Sequence, residues 1–347
     1  MRSMKLLVLM VVFNTWVWAG EGLKLVEKWQ PGKETVDSIK YSLVDKDGHL
    51  VMAFERAGQC LVKPDKIIKF APLGQGPDDL MKVLSLFSFD DGIAFGELPG
   101  KIKIFKKEGD MYRFKETRWY KMGYFPFILK NGIYYDRKFF LTGYNIMTAD
   151  QKKNSMEVSF IEIFSDQGQP LKSLLKKSIS GVPRLLYEMN YYLVSYKKYV
   201  FYLVENELKV RSIDIGDLEI KKEVDLEKPG FYKPMPDNFY IRTETGLSDV
   251  NIRLKNLEFW RTSYSRIHKV LVEGDYLVLQ MRTCDPKLKK FALLFYHAGT
   301  FKLEKTILTN DYLIGVRAGR YYFFANGDPG LDEGAEDFVI HVCILEK

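Results

Sequence analysis

The sequence predicts an all-β protein whose body is a ring of small four-stranded sheets: a six-bladed β-propeller, with seven blades as the alternative. Three observations carry this prediction. From residue 36 onward, short apolar or alternating runs are separated by turn residues. Several of those turns are Asp-Gly or Asn-Gly, the hairpin signal given by a type I′ turn that needs positive φ at both central residues. The first three units begin about 40 to 45 residues apart, the period of a propeller blade. The 21 tyrosines and 24 phenylalanines fit strands, where flat side chains pack well on a pleated surface.

The N-terminal segment stands apart. Arg2 and Lys5 precede the apolar run Leu6 to Trp18, which ends in Val17-Trp18-Ala19 before Gly20-Glu21-Gly22. This is the anatomy of a secretory signal cleaved after Ala19, giving a periplasmic or secreted product. The run is broken by Asn14 and is shorter than the ~20 apolar residues a bilayer span needs. No cysteine stands at the cleavage point to carry a lipid, so no membrane span or tether is expected. Removing Arg2 and Lys5 from the 52 basic residues leaves 50 against 45 acidic ones. These charges are interspersed along the chain. Nucleic-acid binding, which asks for a clustered basic stripe and a known module, is not expected.

Residues 20–347 then read as one propeller domain. Blade one spans about 36–71, with Ser38 to Asp45 turning at Asp47-Gly48 into His49 to Glu55. Blade two spans 82–118, with Val83 to Phe89 turning at Asp90-Asp91-Gly92 into Ile93 to Gly96. Blade three spans 124–178, with Tyr124 to Leu129 turning at Asn131-Gly132 into Ile133 to Tyr135. Blade four spans 185–226, blade five 264–308 and blade six 311–346. Each first hairpin is followed by a second, as in Leu208 to Ile213 with Leu218 to Val224. Blade six has room for only one strand after its first hairpin, so Leu23 to Trp29 is expected to supply its outer strand. The two termini would then close the ring. The period breaks at about 227–263, where Pro229-Gly230, Pro234 and Pro236 mark a loop. Phe239 to Thr243 reads as a strand there and Asn251 to Trp260 as a weak helix. This is an insertion on one face, with a degenerate seventh blade as the alternative.

After blade one the chain reads Gly74-Gln75-Gly76-Pro77-Asp78-Asp79-Leu80. This resembles the Gly-Gln-Gly-Pro-Gly-Glu-Phe element of bacterial NHL-like six-bladed propellers, including the large exported group common in Bacteroidetes-type genomes. The resemblance implies a fold and a tight crossing between blades set by glycine and proline, and it implies no activity.

No catalytic signature stands out. The four histidines, His49, His268, His297 and His341, form no zinc spacing. No GxSxG, P-loop or GxGxxG occurs. Cys60, Cys284 and Cys343 form no CxxC and read as buried free thiols, with Cys284–Cys343 the pair to expect if a disulfide forms. Three arginines, Arg56, Arg137 and Arg282, fall just past comparable strands in blades one, three and five. If those positions cluster on one face, they would suit an anionic group by bidentate hydrogen bonding. No cofactor is expected: the glycine-containing acidic stretch with Asp328, Asp332 and Glu333 reads as a solvated hairpin tip, with calcium bound by these three as the alternative. The paired tyrosines 134–135, 191–192 and 321–322 read as packing between blades.

A rigid repeat scaffold without a catalytic set points to a non-catalytic binding module. One face would hold a protein, peptide or glycan. The alternative is a hydrolase or lyase with an active site around the propeller axis.

Overall fold

The computed structural model describes residues 22–31, 39–54, 58–74, 76, 78–97, 100–120, 128–150, 155–180, 189–236, 250–325 and 338–346. They form six sheets arranged in a ring, a six-bladed β-propeller. The N-terminal strand β1 (Leu23–Trp29) belongs to blade six. Blade one is β2 (Ile39–Val44), β3 (Leu50–Phe54), β4 (Gln59–Lys63) and β5 (Lys66–Ala71). Blade two is β6 (Val83–Phe89), β7 (Gly92–Glu97), β8 (Lys101–Glu108) and β9 (Met111–Trp119). Blade three is β10 (Ile128–Tyr135), β11 (Lys138–Asp150), β12 (Ser155–Ser165) and β13 (Pro170–Leu174), with β14 (Lys177–Ser180) also pairing β12. Blade four is β15 (Tyr191–Tyr196), β16 (Tyr199–Val204), β17 (Lys209–Asp214) and β18 (Ile220–Asp225). A helix, α1 (Val250–Ser263), precedes blade five, which is β19 (Ile267–Glu273), β20 (Tyr276–Arg282), β21 (Phe291–His297) and β22 (Leu303–Thr309). Blade six is β23 (Tyr312–Arg317), β24 (Arg320–Phe324), β25 (Ile340–Leu345) and β1.

The alternation of side chains along a strand sends neighbouring residues to opposite faces of each blade. Leu50, Met52 and Phe54 therefore pack against blade six, while Val51 and Ala53 pack against blade two. Repeated round the ring, this gives six cores, each between two adjacent blades. The paired tyrosines pack across these blade interfaces: Tyr134 meets Phe89 at 4.3 Å, Tyr191 meets Phe160 at 5.8 Å, and Tyr321 meets Phe295 edge-on at 6.1 Å. Closure by both termini is as expected, since β1 pairs antiparallel with β25, Leu23 opposite Leu345 and Trp29 opposite Ile340.

The element after blade one is a crossing pinned by side chains. Leu73 and Leu80 form an isolated parallel bridge, and the Asp79 carboxylate accepts from the Gly76 amide at 2.9 Å. A Cβ at Gly74 or Gly76 would run into that carboxylate, which is why glycine is needed there. The buried Lys103 ammonium donates to the Gly76 and Asp79 carbonyls and lies 3.7 Å from Glu97.

One sequence expectation is corrected. Asn131-Gly132 is not a turn but lies inside β10, beside a bulge between Leu129 and Asn131. The hairpin turns instead at Asp136 and Arg137, which hold φ of 49° and 57° without glycine. Gly132 is there because a Cβ would press on Leu141 and on Phe87 of blade two. The cysteines form no disulfide, in line with the free-thiol reading. Cys343 is buried between blades five and six, which pushes its thiol up to about 12, whereas Cys284 lies just past β20. In the 227–263 stretch, α1 covers the expected weak helix, and residues 239–243 lie outside the described residues.

Candidate functional site: the axial channel and its mouth

The first strands of the blades, β2, β6, β10, β15, β19 and β23, each touch the next and close a cycle around the axis. Their hairpin turns gather on one face, which we call the turn face. There Tyr135 donates to the Lys197 carbonyl at 2.7 Å, Tyr196 to Asp275 at 2.6 Å, and Gly319 N–H to Glu273 at 2.6 Å. The opposite face, where the inner strands begin, is the entry face. Inner-edge backbone on these strands has no next strand to pair with, so the space between them is polar.

That space is a channel of about 500 Å³ lined by all six inner strands. Among the described residues its lining carries Lys40, Lys130, His268, Lys269 and Arg317, and no Asp or Glu. Lys269 reaches from blade five across β23 to blade one, donating to the Ser42 carbonyl at 3.0 Å and to its Oγ at 3.3 Å. Ser42 Oγ in turn donates to the Ile314 carbonyl at 3.4 Å. Loss of water around the ammonium pushes the Lys269 pKa down to about 8. Burial, reinforced by Arg266, Arg282 and other cations, holds His268 well below the usual histidine range, so its imidazole is neutral. Tyr192 and Tyr312, from blades four and six, donate to the carbonyls of Ile267 and His268 at 2.8 and 3.4 Å, which fixes the start of β19.

Sequence position explains how these cations reach one zone. Pairing of the inner strand with its neighbour is interrupted by a bulge at Lys40, Leu84, Lys130, His268 and Ile314. A bulge inserts one residue, bends the strand and re-aims side chains. In blades one, two, three and five it falls four or five residues before the hairpin turn, so the bulged residues share roughly one level of the channel.

At the entry-face mouth, Glu205 and Arg266 form a buried pair at 3.0 Å between blades four and five. Glu205 also accepts from the Asn190 amide at 2.7 Å, and Arg266 lies 4.9 Å over the ring of Trp260 on α1. Burial raises the Glu205 pKa despite Arg266 beside it. Arg266 Nη2 stands 3.4 Å from His268 Nε2.

Of the expected arginines, Arg282 ends β20 on the entry face, its amide bonded to the Arg266 carbonyl at 3.0 Å. Arg137 sits in the β10–β11 turn on the turn face, 3.1 Å from Asp166 and largely exposed. The fold therefore does not bring these two together. Arg56, Asp328, Asp332 and Glu333 lie outside the described residues. A different group, Asp45, Asp47 and His49, gathers in the first turn of blade one. Its negative charge is already met: the Lys107 ammonium bonds both carboxylates, and Tyr112 donates to Asp45 at 3.1 Å. The channel lysines were not singled out by motif. Their signal is a lysine inside an otherwise apolar first strand, as in Val270 to Val272 following Lys269.

No family model matches the sequence, and no curated protein matches it. Among solved structures, the chain is similar to a protein of Bacteroides fragilis NCTC 9343 named for expected export. That likeness has 13% identity over 96% of this chain and 98% of that one, with a TM-score of 0.62. It is also similar to aldose sugar dehydrogenase from Streptomyces coelicolor in its PQQ-bound form, at 11% identity over 93% and 98% and a TM-score of 0.49. BamB from Moraxella catarrhalis matches at 9% identity over 93% and 100%, with a TM-score of 0.45. At these identities the likeness is one of fold. No helix among the described residues is long and apolar enough to cross a membrane.

Proposed function

We propose that this chain is a non-catalytic binding module of the cell envelope or exterior, an NHL-like propeller that holds a protein, peptide or glycan on its entry face. The observation that carries the reading is the channel that runs along the inner strands, lined by cations, hydroxyls and backbone edges, with no carboxylate among its described residues. Two carboxylates around the axis, which hydrolysis of a glycoside asks for, are absent from that described lining. The export signal ending at Ala19 and the mature location belong to the same reading, as does calcium at Asp328, Asp332 and Glu333.

The full chain probed against glycan and peptide arrays tests it. A ligand lost in Arg282→Ala and kept in Arg137→Ala supports the entry face, and the reverse pattern overturns it. Release of a cleaved product from the captured ligand would favour the hydrolase or lyase reading. Calcium at millimolar levels is expected to raise the melting temperature, an effect absent in Asp332→Asn.

A further inference from the structure

The lysines of the channel come from every second blade of the ring, and Arg317 of blade six adds a further cation to its lining. Lys40 stands on blade one, Lys130 on blade three, and Lys269 on blade five beside the bulged His268. We propose that the axial channel is a binding site for a small polyanion, a molecule carrying two or more carboxylate or phosphate groups, seated between the lysines of these three blades. This goes beyond the partner reading above. It concerns a small ligand inside the channel and holds whether or not a macromolecule sits on the rim.

Three observations converge on it. Lys269 has, among the described residues, only Ser42 atoms within hydrogen-bond reach and no carboxylate within ion-pair distance. Lys269 is half-buried in the channel wall, and holding an ammonium with reduced hydration and no counter-charge is costly. The described lining of the channel holds no carboxylate, and Glu205, which feels the charge of Lys130, is already paired with Arg266. Its volume of about 500 Å³ falls within the range of small-molecule sites. Finally, bulges fall at Lys40 and Lys130, and Lys269 follows the bulge at His268, so that all three lysines line one cavity where a ligand with several acid groups meets more than one of them. The low pKa of Lys269 agrees with a site built for an absent negative partner. Such a partner restores the ammonium that burial disfavours.

The rival account is that Lys269 only braces blade five against blade one. Calorimetric titration and thermal melting of the full chain, with citrate and separately with pyrophosphate, decide between them when ionic strength is held constant with sodium chloride. At least one of the two anions is expected to bind wild type and raise its melting temperature beyond sodium chloride. Binding is expected to weaken about tenfold or more in Lys269→Met and in Lys130→Met, the scale of one lost charge-assisted hydrogen bond, and to survive in Lys269→Arg. Citrate alone would mark a carboxylate ligand, and pyrophosphate alone a phosphate ligand. Binding of neither anion to wild type overturns the proposal. Equal binding by wild type and Lys269→Met overturns it as well, and if that variant does not fold, Lys130→Met gives the same decision.

Discussion

Lys269, half-buried in the channel wall, and Arg266, buried at its entry-face mouth, are both cations with little water around them, yet their energetics run in opposite directions. Arg266 has the Glu205 carboxylate at 3.0 Å, so removing it strands a buried charge. Arg266→Met is expected to cost about 3 kcal/mol or more, read from a denaturant midpoint, and Arg266→Met with Glu205→Gln should recover part of that loss. Lys269 has no such partner among the described residues, and its pKa falls from 10.5 to about 8. Between those two values the unfolded chain holds more protons than the folded one. Stability from this group therefore rises with pH across that window and is at its lowest below it. Lys269→Met is expected to be more stable than wild type at pH 7, with the gap closing as pH climbs from about 8. Paired denaturant melts check this, and a gap that does not change with pH would contradict it. A binding residue that costs stability when unliganded is a familiar compromise between stability and function.

At the scale of strands, glycine and the bulges fix how closely blades approach. Gly132 lies on β10 where a Cβ would meet Leu141 at 2.9 Å and Phe87 at 3.1 Å. Gly132→Ala is expected to destabilise by about 1–3 kcal/mol through overpacking, whereas Gly230→Ala, with open space around it, should stay within about 0.5 kcal/mol. Thermal melts of the two variants side by side make the comparison. Asn-Gly between apolar runs is read as a hairpin because of the local φ it permits. In blade three the tertiary demand for close packing uses the glycine instead, and the turn forms at Asp136-Arg137. The crossing at residues 72–80 shows the opposite case. Its glycines were legible because the Asp79 side chain that folds over them lies only a few residues away in sequence.

For the molecule as a whole, stability rests on the ring being shut. β1 contributes Leu23 and Trp29, both almost fully buried, to the cores on either side of blade six. Deleting residues 20–30 is expected to lower the melting temperature of the entire protein in one transition, since every blade depends on both neighbours for its core. Trp29→Ala alone is expected to cost about 3–5 kcal/mol. A melting curve unchanged by the deletion would contradict closure through β1. The six blades were readable in advance because hairpin period and side-chain alternation are local. The axial site was not, because Lys40, Lys130 and Lys269 are more than a hundred residues apart in places and share no motif.

By itself the sequence determined the class of fold, the number of blades and the pairing of its two ends. Each of these follows from strands of a fixed length, turns of fixed chemistry and one apolar strand left over at each terminus. Only the tertiary structure decided which polar residues meet. The direction of each inner strand separates Arg137 from Arg282 onto opposite faces, and Lys107 closes the Asp45 and Asp47 pair against a metal. Closure of the ring brings lysines of three blades around a common axis, two of them at one-residue bulges that the pattern of the chain does not show. Facing side chains are chosen by the path of the backbone through space, and no spacing along the chain records that path.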